Sequence, residues 1–307
     1  MADMKSLIKK SMEQHTLYSD AFAFMIMRAG FADKYLAGLI SMYKSYSWIN
    51  SHFRVHCKQR QYDAANIICG GPPNPVKRRA WICWFQGIDA APQIVKDCIS
   101  SVKYWLSGWD IILITADNYK QYADLPYWII EKWEKGIIGN AMFSDLLRLD
   151  LLVRNGGLWL DATTYLTGPL PDYITDQDMF VYRNGWMDME MINMASWLIY
   201  SKQPNNRLLT QTRELLFSYW EQYDFAKNYF LLHMFFRMVT DANPEEWQKV
   251  PYFNQINNHL LMRELANHLD VKRVNQIKEC TTVHKLTYKV FSYENNSVAA
   301  SLANLYY

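Results

Sequence analysis

FSDLLRLDLLVRNGGLWLDATTY, residues 143–165, decides the fold, because it joins a helix to a strand through a forced turn. Leucines at three- and four-residue steps predict a helix over Asp145–Arg154, with Ser144 as its N-cap. Asn155-Gly156-Gly157 stops it, since glycine enters the left-handed region at no steric cost. Leu158–Asp161 then reads as a short buried strand that ends on a carboxylate. In open α/β sheets, ligands bind beyond the carboxyl ends of the strands, so Asp161 stands where a site is expected. Asp145 and Arg148 are three apart, on one helix face and within the predicted first turn, where backbone N–H groups favour an anion. A carboxylate and a guanidinium on a donor-rich turn suit a ligand with hydroxyls at one end and phosphates at the other. The Gly-Gly turn brings the next strand back beside that helix, so Asp161 can approach the same ligand.

Outward from this block the pattern is strand, helix, strand, helix. Ala80–Phe85 is a short apolar run bounded by Gly87, Pro92 opens a helix with Ile94, Val95, Cys98, Ile99 and Val102 on one face, Trp109–Ile114 is a second buried strand, and Pro126–Lys135 is a short helix. This order predicts an α/β fold with parallel strands. Upstream, apolar residues recur at helical spacing through Leu17–Tyr46, and the breaker run Cys69–Pro75 marks a boundary. The expected organisation is a helical N-terminal extension over 1–75 and an α/β domain over 76–307. Downstream, Met179–Arg183 and Ser196–Tyr200 are expected strands, and Asn205–Tyr223, Asp224–Thr240 and Glu264–His268 expected helices. The tail Asn295–Tyr307 is polar, then small and apolar, with no role assigned.

Composition excludes several classes. Half of the 307 residues are hydrophobic and 20 % are charged, which supports a sizeable core and excludes a disordered chain. No apolar run approaches the length of a membrane-spanning helix. Met1–His15 is polar and lacks a secretory core, so a cytoplasmic chain is expected. The five cysteines are odd in number and none is in CxxC spacing, which argues against a disulfide framework or a zinc knuckle. Residues 1–79 carry 12 Lys/Arg against 5 Asp/Glu, while the remainder is net acidic. The basic front end is either a solvated helical surface or a contact for anionic lipid or a phosphorylated partner, and the acidic remainder argues against nucleic acid. Aromatics reach 15 %, and such rings are either core or flat platforms for sugars and bases.

The run SDLLRLDLLVRNGGLWLD resembles the core signature of GT-A glycosyltransferases related to glycosyltransferase family 32, which also occurs in large clostridial glucosylating toxins. Trp81–Gly87, Leu158–Thr163 with Thr167–Pro171, and His284–Lys289 resemble the bacterial capsular polysaccharide synthesis protein family, and the resemblance spans roughly residues 78–290. It implies a GT-A, Rossmann-like nucleotide-sugar-binding domain with additional C-terminal helices. The implied reaction moves a hexose from a nucleotide-sugar donor, a UDP-sugar by expectation, to a hydroxyl of a capsule or surface-polysaccharide repeat unit, with retention. The acceptor is expected to ride on a lipid carrier, with the enzyme peripheral on the inner membrane face.

By position, Trp84, Phe85 and Gln86 match the strand end flanking the base, and Asp145 and Arg148 match residues that hold ribose and donor sugar. Asp161 matches the first acid of an Asp-x-Asp metal motif, but Thr163 replaces the second. Either metal dependence is lost with that acid, or a Mn²⁺ or Mg²⁺ cofactor leans on Asp161, Thr163, the diphosphate and one further group, for which His284 is the candidate. His284 reads equally as a packed histidine. Lys285 and Lys289 are either phosphate partners or solvated surface. His233 is either a packed helix histidine or a ligand. On the acceptor side, Trp186 and Asn193 suit sugar binding, and Asp188 or Glu190 suit orienting or deprotonating the attacking hydroxyl, the alternative being an ordinary polar loop. Two other functions fit the residues. Thr163 in place of an acid suits an inactive or hydrolytic homologue, and the aromatic helices suit an interaction scaffold.

Overall fold

The protein is seen as a computed structural model that describes residues 4–64, 78–184, 191–289 and 295–306. The expected boundary Cys69–Pro75 and the candidates Trp186, Asp188 and Glu190 lie outside the described residues. The chain opens with α1 (Met4–Glu13), α2 (Leu17–Arg28) and α3 (Lys34–Ala64). Then follow β1 (Arg79–Cys83), α4 (Gln93–Trp105), β2 (Asp110–Ile114), α5 (Tyr127–Glu134), α6 (Asn140–Asn155) and β3 (Gly157–Asp161). The second half holds β4 (Thr164–Leu166), α7 (Asp172–Thr175), β5 (Met179–Arg183), β6 (Met194–Ser201), α8 (Arg207–Gln222) and α9 (Leu231–Ala242). It closes with α10 (Pro244–Lys249), α11 (Leu260–Glu264), α12 (Val271–Cys280), β7 (Val283–Lys285) and α13 (Val298–Ser301).

The main sheet has strand order β2-β1-β3-β6-β5. β1 runs parallel to both β2 and β3, while β6 lies antiparallel to β3 and β5 antiparallel to β6. Side chains alternate between its faces, as a period of two requires. Trp81, Trp159, Val181 and Ile199 enter one core with residues of α3, α5, α6, α8 and α9. Ala80, Ile82, Leu158, Leu160, Phe180 and Leu198 enter a second core with α4, α12 and the β4–β7 pair. Helices therefore cover both faces, which explains why the strands read as continuous apolar runs rather than alternating ones.

The Gly-Gly turn is a steric necessity. Gly156 and Gly157 have φ of 64° and 97°. A Cβ on Gly157 would lie 2.6 Å from the Arg79 carbonyl oxygen, and one on Gly156 would lie 3.0 Å from that of Ser201. Only glycine lets α6 end with β3 starting this close to β1 and β6. The α3 helix packs onto the domain through Ile49 and Phe53, both buried, with the Phe53 ring 5.1 Å from Phe235 and 5.8 Å from Tyr219. Among the described residues, no helix is long and apolar enough to cross a membrane.

Several local expectations are corrected. The helix predicted to start after Ser144 starts at Asn140, so Ser144 is interior and Asp145 and Arg148 lie beyond the first turn. Residues 224–230 are not helical. Tyr219 Oη donates to the Phe225 carbonyl and accepts from the Lys227 N–H, which pins that segment as a loop before α9. The expected helix at Glu264–His268 lies earlier, as α11.

Candidate functional site

A cleft of about 760 Å³ opens at the carboxyl ends of the parallel strands β1 and β3. Trp84, Phe85 and Gln86 follow β1 and form one side, where the Trp84 ring meets Tyr288 edge-on at 5.2 Å. Asn140, Ala141 and Ser144, from the start of α6, form the next part. Asp145, Arg148, Asp161 and Lys285 converge at the floor. Lys289 also lines the cleft. Trp197 of β6, Tyr229 in the loop before α9 and His233 of α9 also line the cleft.

The floor is one connected polar network. Arg148 is 5 % exposed, and its NH1 donates to the Ser196 carbonyl at 2.7 Å. Its NH2 lies 3.1 Å from Asp145 Oδ1 and 3.5 Å from Asp161 Oδ1. Its guanidinium also sits 4.9 Å from the centre of the Trp159 ring. Asp161 Oδ1 accepts from Trp159 Nε1 at 3.1 Å, and Oδ2 accepts from Lys285 Nζ at 2.9 Å. Lys285 Nζ also donates to Thr163 Oγ1 at 2.6 Å. A strand ladder delivers this lysine: Thr164 faces Lys285 across the β4–β7 pair, and the Leu286 N–H donates to the Thr163 carbonyl at 2.8 Å.

The two carboxyls have opposite electrostatics. Burial pushes Asp145 up to about 6, although Arg148 pulls the other way. Burial would also raise Asp161, but Lys285 and Arg148 outweigh it and hold this group at about 2. Asp161 is thus a permanent anion, while Asp145 titrates near neutrality. Burial pushes His233 down to about 3, helped by Arg148, so its ring is neutral, and among the described residues its Nδ1 has no hydrogen-bond partner. Burial likewise pushes the Cys83 thiol up to about 12, which removes it as a nucleophile.

Two candidate residues are not brought to the cleft. His284 is fully buried, its Nε2 is 2.9 Å from Thr167 Oγ1, and it lies on the opposite face of β7 from Lys285. Burial holds it near 3, so it is a neutral packing residue rather than a cleft ligand. Asn193 is 3 % exposed and donates from Nδ2 to Thr240 Oγ1 at 2.8 Å, which ties the entry to β6 onto α9. Asn184 and Ile192, which flank residues 185–190, line the cleft.

Sequence reading missed Tyr288, Trp197, Tyr229 and Gln255 as cleft residues. Tyr288 carried a signal, since it lies between Lys285 and Lys289 in an already conspicuous block. The others come together only through tertiary packing, as when Trp197 Nε1 donates to Gln255 Oε1 at 2.9 Å.

Among the described residues, the donor set at the expected metal position does not fit a divalent metal. Among the described residues, no three His, Cys, Asp or Glu side chains group as a metal site. The two oxygens expected to bind it, Asp161 Oδ2 and Thr163 Oγ1, both bind the Lys285 ammonium. A doubly charged ion about 4 Å from an ammonium would meet a repulsion on the order of 8 kcal/mol at an effective dielectric of about 20.

Comparison with known proteins places the chain. No curated protein matches it significantly. A solved structure described as PaToxG glycosyltransferase is similar at 15 % identity and a TM-score of 0.39, over 87 % of this chain and 95 % of that one. A mutant transferase is similar at 12 % identity and a TM-score of 0.36, over 59 % of this chain and 92 % of that one. Neither is close enough to transfer a residue or an activity. The sequence match is more specific: residues 43–305, from within α3 through the α/β domain, match one family, and the chain belongs to the capsular polysaccharide synthesis protein family.

Proposed function

We propose that this protein is a glycosyltransferase of the GT-A kind that moves a hexose from a nucleotide-sugar donor to a hydroxyl of a capsule or surface-polysaccharide repeat unit. The observation that carries the reading is the convergence of Asp145, Arg148, Asp161 and Lys285 in one cleft beyond β1 and β3. Family membership supports the polysaccharide context.

The donor, a UDP-sugar in this proposal, lies with its base beside Trp84 and Tyr288 and its diphosphate toward Lys285 and Lys289. Asp145 accepts hydroxyl hydrogen bonds from the ribose or the donor sugar. Arg148 does not reach out as a free side chain; its burial and its bond to Ser196 hold both carboxylates in register. Transfer breaks the bond between sugar C1 and the β-phosphate oxygen, and the electron pair leaves with the diphosphate. The acceptor oxygen forms the new bond to C1 on the same face, which gives retention. Its proton passes to the departing phosphate oxygen. Cationic donors already aimed at that oxygen lower the barrier, because they need not reorganise as the charge grows.

The acceptor enters from the side of Trp197, Gln255 and Asn184, and a lipid carrier anchors it in this proposal. The amino-terminal helices then meet the inner membrane face. Tyr18, Phe22, Phe24, Met25, Phe31 and Tyr35 are exposed on α2, its turn and α3, within a net basic stretch. Flotation with vesicles of anionic lipid tests this, and the reading requires binding that weakens with salt.

The direct test of function is a thermal-shift panel of UDP-, GDP-, ADP- and dTDP-hexoses, followed by incubation of the stabilising donor with lipid-linked acceptor and mass analysis of the product. A stabilising donor and a product heavier by one hexose are expected. Donor hydrolysis without transfer, or no response to any nucleotide, would refute the assignment.

A further inference from the structure

Resting on the donor-cleft reading above, we propose that Lys285 takes the place of the divalent cation, so that the protein binds the nucleotide diphosphate and transfers the sugar with no divalent metal. In an Asp-x-Asp turn, two carboxylates balance a doubly charged ion. Here Asp161-Ala162-Thr163 offers one carboxylate, and one ammonium balances it. The local charge is the same, reached with protein atoms alone.

The geometry assigns this role to Lys285 rather than to a wandering surface lysine. Its Nζ sits between the first and third residues of the turn, 2.9 Å from Asp161 Oδ2 and 2.6 Å from Thr163 Oγ1. Its side chain is only 19 % exposed. The β4–β7 ladder fixes its backbone against the same turn, with Thr164 opposite Lys285. An ammonium has three N–H donors; two are used here, and among the described residues none takes the third. Lys285 lines the cleft, so that third donor is available to a phosphate oxygen. As the bond from C1 to the β-phosphate oxygen breaks and its electron pair moves to that oxygen, Lys285 donates to the growing charge. The acceptor hydroxyl supplies the new C1–O bond, and its proton leaves on the diphosphate, so no redox partner or metal enters the balance. Thr163 completes the device. A second carboxylate there would demand a second positive charge, whereas a hydroxyl accepts the lysine N–H and adds none.

Calorimetric titration of the full chain with UDP, GDP, ADP and dTDP, in EDTA and again with excess MnCl₂, tests the proposal. The wild type is expected to bind one of these diphosphates in EDTA, with Mn²⁺ changing the affinity by less than about twofold. Lys285→Ala is expected to lose about 10- to 100-fold in EDTA, the range for a lost hydrogen bond to a charged group. Lys285→Arg is expected to recover most of that loss, which a merely structural role would not predict. Binding abolished by EDTA and restored by Mn²⁺ would overturn the proposal while leaving the donor cleft in place. So would Lys285→Ala binding like wild type in EDTA. Should Lys285→Ala not fold, the wild-type comparison between EDTA and Mn²⁺ decides alone. If no diphosphate binds under either condition, the donor-cleft reading fails and this inference falls with it.

Discussion

Replacing Arg148 with methionine removes one charge from the centre of the network while keeping an unbranched stem against Trp159. The side chain is nearly sealed, and it is the cation within 3.1 Å of Asp145 and 3.5 Å of Asp161. Asp161 keeps Lys285 at 2.9 Å, so it stays half-compensated. Asp145 keeps no ion-pair partner among the described residues, and the Ser196 carbonyl loses its donor. Removing one partner of a buried pair costs about 3–5 kcal/mol, and the surviving lysine places this case near 3. At about 2–4 °C per kcal/mol for a chain of this size, the melting temperature falls by roughly 10 °C.

The pH dependence follows from Asp145. Its folded value, already raised by burial to about 6 from 3.8, rises further once Arg148 is gone. The folded state then binds more protons than the unfolded state between those two values. Stability therefore decreases as pH rises through that window. Urea denaturation followed by tryptophan fluorescence at about pH 5 and about pH 8 should show the larger deficit at the higher pH. A deficit under about 1 kcal/mol at both, or one that grows on acidification, would refute the electrostatic account of the floor.

Three further outcomes follow from the geometry. Gly157→Ala places a Cβ 2.6 Å from the Arg79 carbonyl at a φ of 97°, so it should lower stability by about 3 kcal/mol, read as a shifted urea midpoint. Asp161 is held at about 2 by Lys285 and Arg148 against the opposing effect of burial; a depressed carboxyl adds stability above pH 4 that is lost as pH falls toward 2, so Asp161→Asn should flatten the acid limb of a pH-denaturation curve. Trp84→Ala and Tyr288→Ala should each weaken nucleotide binding by about tenfold in calorimetry, the loss of roughly one aromatic stacking contact, with little change in melting temperature for the exposed Tyr288.

What could be read from the sequence was set by near neighbours. The α6–Gly156–Gly157–β3 unit is announced by its own glycines and leucines, although the carbonyls that require those glycines, of Arg79 and Ser201, lie far along the chain. The alternation of short apolar runs and amphipathic helices likewise disclosed the parallel core of β1, β2 and β3, and Met179–Arg183 is a strand with the expected bounds. The ends of elements were harder. Ser144 looked like a cap, yet the helix begins one turn earlier, after Gly139, which offers no side chain to signal it.

The cleft depended on distant pairing. Lys285 reaches Thr163 across 122 residues, through two three-residue strands too short to show a pattern. On such a strand the choice between His284 and Lys285 is a question of register alone: neighbouring residues face opposite ways, so one enters the core and the other the cleft. Residue chemistry favoured the histidine as a metal ligand, and strand phase chose the lysine. Asn193 shows the same limit, because its partner Thr240 lies on a helix whose docking no local pattern reveals.

One ligand, an activated sugar diphosphate, is expected on the floor made by Asp145, Arg148, Asp161 and Lys285. A crystal structure of the protein grown with the nucleotide diphosphate that stabilises it most tests this directly. A β-phosphate oxygen is expected within hydrogen-bond distance of Lys285 Nζ, with a base beside Trp84 and Tyr288. A nucleotide bound elsewhere, or a divalent ion between Asp161 and the phosphates with Lys285 turned away, would contradict it.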